Sequence, residues 1–224
     1  MLLSQKDQIP TIRLDIDDTL AATELAILGF LRRKFCDGPV ESDQDLVDKF
    51  RFVDFVPFWK NKKAAMDEMR RLRQDQDFHL DVIKPIEAAV EAVRKLASHI
   101  KIEGYCTMRP SHLKETTAKW LPKLGFPELE ITIRPENIAF EDRHQWKAQF
   151  LREKIQQGSA FIDDDYRILE ILLSQKGFKG HYFLFGQSRD NDQPTTINAD
   201  SHPQVTRIFD WKSGVKQVLD CFKI

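Results

Sequence analysis

Short apolar runs and longer amphipathic stretches alternate along this chain. Runs rich in β-branched and aromatic residues at 11–16, 100–106, 159–162, 181–185 and 206–209 read as strands. Two further β-like runs, Ile131-Thr132-Ile133 and Ile138-Ala139-Phe140, lie close together, and one is expected to join the sheet. Helical periodicity is predicted over 21–35, 111–124, 144–157, 166–175 and 211–222. Another helix is expected to open at Pro85, with Ile86, Val90, Val93 and Leu96 as its apolar stripe. Gly and Pro in Cys36-Asp37-Gly38-Pro39 would end the first helix, and 189–203 reads as a polar loop. Strands alternating with helices predict an α/β, Rossmann-like, mostly parallel sheet with helices on both faces.

Residues 41–81 break that alternation. They are highly charged, hold the aromatics Phe50, Phe52, Phe55, Phe58 and Trp59, and continue into a basic helical stretch at 60–73. They read as a small helical insert whose aromatics form its own core and whose basic residues are solvated. The expected division is a core of 1–20 and 82–224 with a helical cap of 21–81.

Composition narrows the class. The 224 residues suit one large domain, or a core with an insert. Hydrophobic residues make up 42% and charged residues 31%, and the net charge of −1 gives no global argument for binding nucleic acid. No apolar run is long enough to span a bilayer, so no membrane partner is expected, and the first residues do not look like a secretory leader. Cys36, Cys106 and Cys221 are distant and odd in number, which suggests a reducing, cytoplasmic setting with most of them buried. A homodimer is left open.

The chemistry gathers at strand ends. The first strand runs into Asp15-Ile16-Asp17-Asp18-Thr19. Asp15 and Asp17 are two apart, so an extended backbone points them the same way. Paired carboxylates repel unless a cation lies between them, and Mg²⁺ prefers such oxygen ligands. A blander reading has Asp18 or Thr19 capping the next helix. The second strand leads to Thr107-Met108-Arg109-Pro110, and the third to Asp163-Asp164-Asp165. Lys147 is expected in the first turn of its helix. Singly, each has an ordinary explanation. Thr107 would cap a turn, Lys147 would be a surface lysine, and the three acids would favour a helix dipole. Arg109 suits either a substrate phosphate or a core acid, while His112 and His144 read as structural or exposed and not catalytic.

Taken in order, these residues resemble the four motifs of the haloacid dehalogenase-like superfamily of phosphohydrolases. Leu14-Asp15-Ile16-Asp17-Asp18-Thr19 resembles its D-x-D-x-T signature, Thr107 its second motif, Lys147 its basic third motif and Asp163-Asp164 its paired acids. The resemblance spans about 11–167. It implies a Mg²⁺-dependent phosphatase acting on a small phosphomonoester through an aspartyl-phosphate. Asp15 would be the nucleophile and Asp17 the general acid and base. Mg²⁺ would be held by Asp15, the Asp17 carbonyl and Asp164, with Asp163 the second choice for that ligand. Thr107, the backbone around Met108, Arg109 and Lys147 would receive the phosphate. Lys84-Pro85-Ile86-Glu87-Ala88, Phe183-Leu184-Phe185-Gly186-Gln187 and Arg207-Ile208-Phe209-Asp210-Trp211 look like the 5′(3′)-deoxyribonucleotidase branch, which points to a nucleotide. Asp18 stands where that family commonly has Gly, and three consecutive acids leave the metal ligand uncertain by one position. The competing readings are an inactive phosphate-binding or scaffold protein and a nucleic-acid end phosphatase.

Overall fold

The structure, a computed structural model, describes residues 10–36, 41–50, 52, 56–186 and 202–224. The expected helix stop at 37–39, Phe55, Gln187 and the polar loop up to residue 201 lie outside them.

Six strands form one sheet: β1 (Thr11–Leu14), β2 (Lys101–Pro110), β3 (Ile131–Arg134), β4 (Ser159–Asp163), β5 (His181–Phe185) and β6 (Val205–Ile208). Their spatial order is β3-β2-β1-β4-β5-β6, and every neighbouring pair is parallel. The order reverses between β1 and β4, so the first strand sits at the switch point, where parallel sheets open a crevice at the strands' carboxyl ends.

Side chains alternate across the sheet. Ala160, Ile162, Phe183 and Phe185 face one buried cluster, whereas Phe161, Tyr182 and Leu184 face the other. The first cluster is covered by α1 (Thr23–Phe35), α4 (Ala89–Ala97) and α8 (Trp211–Phe222), and the second by α6 (Arg143–Lys154) and α7 (Tyr166–Ser174). A further helix, α5 (Lys114–Lys123), joins β2 to β3 after a single 3₁₀ turn, Ser111–Leu113. Ser111 makes no side-chain cap.

Between β1 and α4 the chain is helical. It carries α1, α2 (Asp43–Phe50), α3 (Lys62–Leu72) and a π-helical turn, Phe78–Val82. Trp59 is buried, and Phe50 and Phe58 pack against the same apolar cluster. Phe52 instead lies under the Arg167 guanidinium, 4.5 Å from ring centroid to carbon. The basic face of α3 is solvated, with Arg70 and Arg71 paired to Asp67, Glu68 and Asp75.

Several expectations need correction. Pro85 does not open a helix; α4 starts at Ala89, because Lys84 and Ile86 bond the backbone of Ala22 and Leu20. Ile138-Ala139-Phe140 is irregular chain after a turn at Glu136-Asn137, and the edge strand is β3 alone. The second strand runs past residue 106, since β3 continues to pair with it, so Thr107 lies inside β2. Because α6 begins at Arg143, Lys147 stands just beyond its first turn. Only Cys106 is fully buried. Cys36 is half-buried at the end of α1, and Cys221 is exposed in the last turn of α8.

Candidate active site

The register of the sheet builds the centre of the site. Leu14 pairs with Ile162, so Asp15 and Asp163 leave neighbouring strands side by side. Asp15 N–H donates to the Ile162 carbonyl at 2.9 Å, fixing that step. Asp15, Asp163 and Asp164 are all buried, and each offers an oxygen within 4.8 Å of the others.

Lys147 closes the group from α6. It is completely buried, with Nζ 2.5 Å from Asp15 Oδ1 and 2.9 Å from Asp163 Oδ2. Burial pulls its pKa down, but Asp15 and Asp163 more than reverse this and hold it charged well above the usual lysine range. Asp15 moves the other way. Burial, then Asp163, Asp164 and Asp17, push its carboxyl well up despite the opposing pull of Lys147. The pocket is therefore short of positive charge. An all-oxygen donor set with a surplus of buried negative charge fits a hard divalent cation, and the acids needed for Mg²⁺ are in place.

Asp17 occupies a second, adjacent compartment. Arg109 Nε donates to both of its carboxylate oxygens, at 3.1 and 2.9 Å, and Arg109 Nη2 donates to Oδ1 at 2.7 Å. Thr23 donates to Oδ1 at 2.6 Å and Thr107 to Oδ2 at 3.2 Å. Burial favours the protonated acid, but the Arg109 charge and its bonds override it and hold Asp17 ionised. Arg109 is itself positioned by Thr117 at 3.2 Å and by the Trp120 ring below it. Arg109 therefore pairs with an acid, and that acid belongs to the site itself.

The remaining motif residues divide by role. Thr19 accepts from Asp164 N–H at 3.1 Å, and its carbonyl takes the Trp211 indole N–H at 2.7 Å. Asp165 turns away from the acids to cap α7, accepting from Arg167 N–H. Burial would raise its carboxyl, but hydrogen bonds from His144 and Arg167 hold it well below the usual carboxylate range. Only Asp163 and Asp164 of the three acids therefore face Asp15. Asp18 has φ 58°, a left-handed conformation that suits Gly and is tolerated by Asp. Its carboxylate accepts from Glu24 N–H at 2.9 Å, so the helix-capping reading holds for this residue. The Met108 carbonyl accepts from Arg134 at 3.3 Å.

Three contributors carry no motif signal. Thr23 and Thr117 are found only through contacts between separate elements. His79, from the π-helical turn, is buried, with Nε2 3.2 Å from the Arg73 carbonyl and Nδ1 unpartnered. The charges of Arg109 and Asp17 both reach it.

Solved structures share this fold. A haloacid dehalogenase-like hydrolase from Xanthomonas campestris superposes with TM-score 0.54 at 15% identity, covering 96% of each chain. The chain has the haloacid dehalogenase-like fold. Another protein of this fold, from Streptococcus pneumoniae, gives TM-score 0.57 at 11% identity over 96% of this chain and 98% of that one. A predicted phosphatase from Clostridium acetobutylicum gives 0.55 at 15% over 95% and 99%. No family model and no curated protein matches the sequence. On this fold Asp15, Lys147, Asp163 and Asp164 meet at the carboxyl ends of β1 and β4.

Proposed function

We propose that the protein is a Mg²⁺-dependent phosphatase that hydrolyses a small phosphomonoester through an aspartyl-phosphate on Asp15. The observation that carries this reading is the buried cluster of Asp15, Lys147, Asp163 and Asp164 at the switch point of the sheet. The predicted phosphatase from Clostridium acetobutylicum, which has the same fold, agrees with it.

Mg²⁺ would be held by Asp15, the Asp17 carbonyl and Asp164, with Asp163 alongside, and when bound it neutralises charge between nucleophile and phosphate. An Asp15 oxygen attacks phosphorus, and the bond to the leaving oxygen breaks. Lys147 keeps its proton throughout and offsets the growing charge on the phosphoryl oxygens. The Thr107 hydroxyl, which donates to Asp17 at 3.2 Å and accepts from Arg109 N–H at 3.2 Å, would have to turn from Asp17 to the phosphoryl oxygens to bind them.

Asp17 would protonate the leaving oxygen, then take a proton from the water that attacks the phosphoenzyme. The second duty suits the ionised carboxylate that Arg109 holds. The first needs Arg109 drawn off, by an anionic substrate oxygen that competes for that guanidinium, and a proton taken up by Asp17 from solvent before it is passed to the leaving oxygen. Helices between β1 and α4 would act as the cap, excluding water from the phosphoenzyme. A nucleotide is the finer substrate proposal; it rests on the branch resemblance, since the cap aromatics among the described residues are buried or half-buried. Three thiols with no bond among them suit a reducing, cytoplasmic compartment.

The test is inorganic phosphate release from a panel of phosphomonoesters that includes nucleoside monophosphates. Release is expected with Mg²⁺ and lost in EDTA and in Asp15→Asn. Phosphate binding without release would favour the inactive scaffold reading instead.

A further inference from the structure

Arg134 and Arg143 reach the same short segment, bonding the carbonyls of Ile138 and Phe140, and the charges of Arg73 and Arg167 also act on Arg143. Arg73 caps the end of α3, Arg134 ends β3, Arg143 opens α6 and Arg167 lies in the first turn of α7. Each is tied to a piece of the catalytic edge. Arg134 donates to the Met108 carbonyl, next to Thr107, and also to the Ile138 carbonyl. Arg167 grips Asp165, next to Asp164, with two bonds of 2.8 Å. Arg73 reaches buried Glu24, whose N–H is bonded to Asp18. Arg143 stacks on Phe140, 3.7 Å from the ring centroid, and precedes His144, which faces Asp165 at 3.2 Å.

These charges are not balanced alike. Arg73 and Arg167 have carboxylate partners. Arg134 and Arg143 bond only main-chain carbonyls, and neither pairs with an acid among the described residues. That sets them apart from Arg70 and Arg71 on α3, which are solvated and matched with acids one turn away. Arg143 is half-buried. Burial first, then Arg167 and more weakly Arg73 and Arg134, push its pKa down to about 10, and Asp165 only partly opposes them. Each guanidinium carries five donors in a planar fork that suits carboxylate and phosphate oxygens. Holding such groups together without an anion is unfavourable, and an anion among them removes the repulsion.

We infer that Arg134 and Arg143, backed by Arg73 and Arg167, form a subsite for a second anionic group on the substrate. The term substrate rests on the phosphatase reading above. The scissile phosphate belongs deeper, beside fully buried Thr107 and Lys147, whereas Arg134 and Arg143 are only partly buried. The substrate class is accordingly a phosphomonoester whose leaving group bears a carboxylate or another phosphate.

Calorimetric titration of the intact chain in Mg²⁺ with three uncleavable ligands tests this. The probes are propylphosphonate, 3-phosphonopropionate and propane-1,3-bisphosphonate, which share one chain length and differ in the far group. At least one two-ended probe is expected to bind about tenfold more tightly than propylphosphonate. Whichever wins identifies the group the subsite takes. That ratio should fall toward one in Arg143→Gln and in Arg134→Gln, with circular dichroism reporting the fold of each variant. Equal affinity for all three probes, or a ratio undiminished in both folded variants, overturns the inference. No P–O bond is cleaved in these titrations, so their outcome is separate from whether the chain releases phosphate.

Discussion

Lys147 is one positive charge set against two buried carboxylates, Asp15 and Asp163. Removing it leaves those acids uncompensated, so Lys147→Met should cost roughly 3–5 kcal/mol in EDTA by urea unfolding. Mg²⁺ should restore part of that loss, and a variant as stable as the parent in EDTA would contradict the described pairing. His79 gives a test by pH. Burial first, and the Arg109 charge second, lower its pKa to about 4. The unfolded chain then binds the extra proton between about pH 6.5 and pH 4, so stability falls as pH drops through that window. His79 should account for about 3 kcal/mol of the acid loss, and His79→Phe should flatten that part of the stability–pH curve. An unchanged curve would show that His79 is not held neutral. At this scale the sequence was readable wherever a motif fixed spacing. Asp15, Asp163 and Lys147 were expected together, and the register brings them together. The Arg109–Asp17 clamp was only one of two options, because spacing does not say which way a long side chain turns. His79 was invisible, since its place depends on a π-helical turn packed near β2 and α5.

Elements were legible where apolar runs were short and bounded, as in β5 and α8, whose limits agree with the periodicity. They were misread where tertiary pairing overrode local preference. Proline favours a helix start, yet the backbone at 84–86 is recruited by the turn after β1. The β-like run at 138–140 joins no strand and stays irregular after the turn at 136–137. Gly104 shows pairing acting on a single position. It has φ +149°, and an added Cβ would lie 2.5 Å from the Glu130 carbonyl oxygen. That oxygen already accepts from Tyr105 N–H at 2.8 Å, so it cannot give way without moving the strand that carries Thr107. Gly104→Ala should therefore cost on the order of 1–3 kcal/mol, read as a lowered urea midpoint. A neutral substitution would mean that the β1–β2 irregularity is not set by this contact.

For the whole molecule, the alternation of strands and helices predicted an α/β sheet, and six parallel strands follow from it. Strand order was not legible, because nothing local states that β1 lies between β2 and β4. Yet that order makes the site, since it sets acids from distant parts of the chain beside one another. Their surplus charge predicts that Mg²⁺ stabilises the folded chain. At a hundredfold excess over its dissociation constant the gain is about 2.7 kcal/mol. A rise in melting temperature with Mg²⁺, smaller in Asp163→Asn, is expected from differential scanning calorimetry. No rise at any Mg²⁺ concentration would remove the cation from the account. The central claim, that Asp15 accepts the phosphoryl group, is tested most directly by acid-quenching the protein during turnover of a phosphomonoester and measuring its intact mass. The account predicts a species heavier by one phosphoryl group, carried on the peptide containing Asp15 and missing in Asp15→Asn. Phosphate release with no such species on that peptide, or with one that persists in Asp15→Asn, would contradict it.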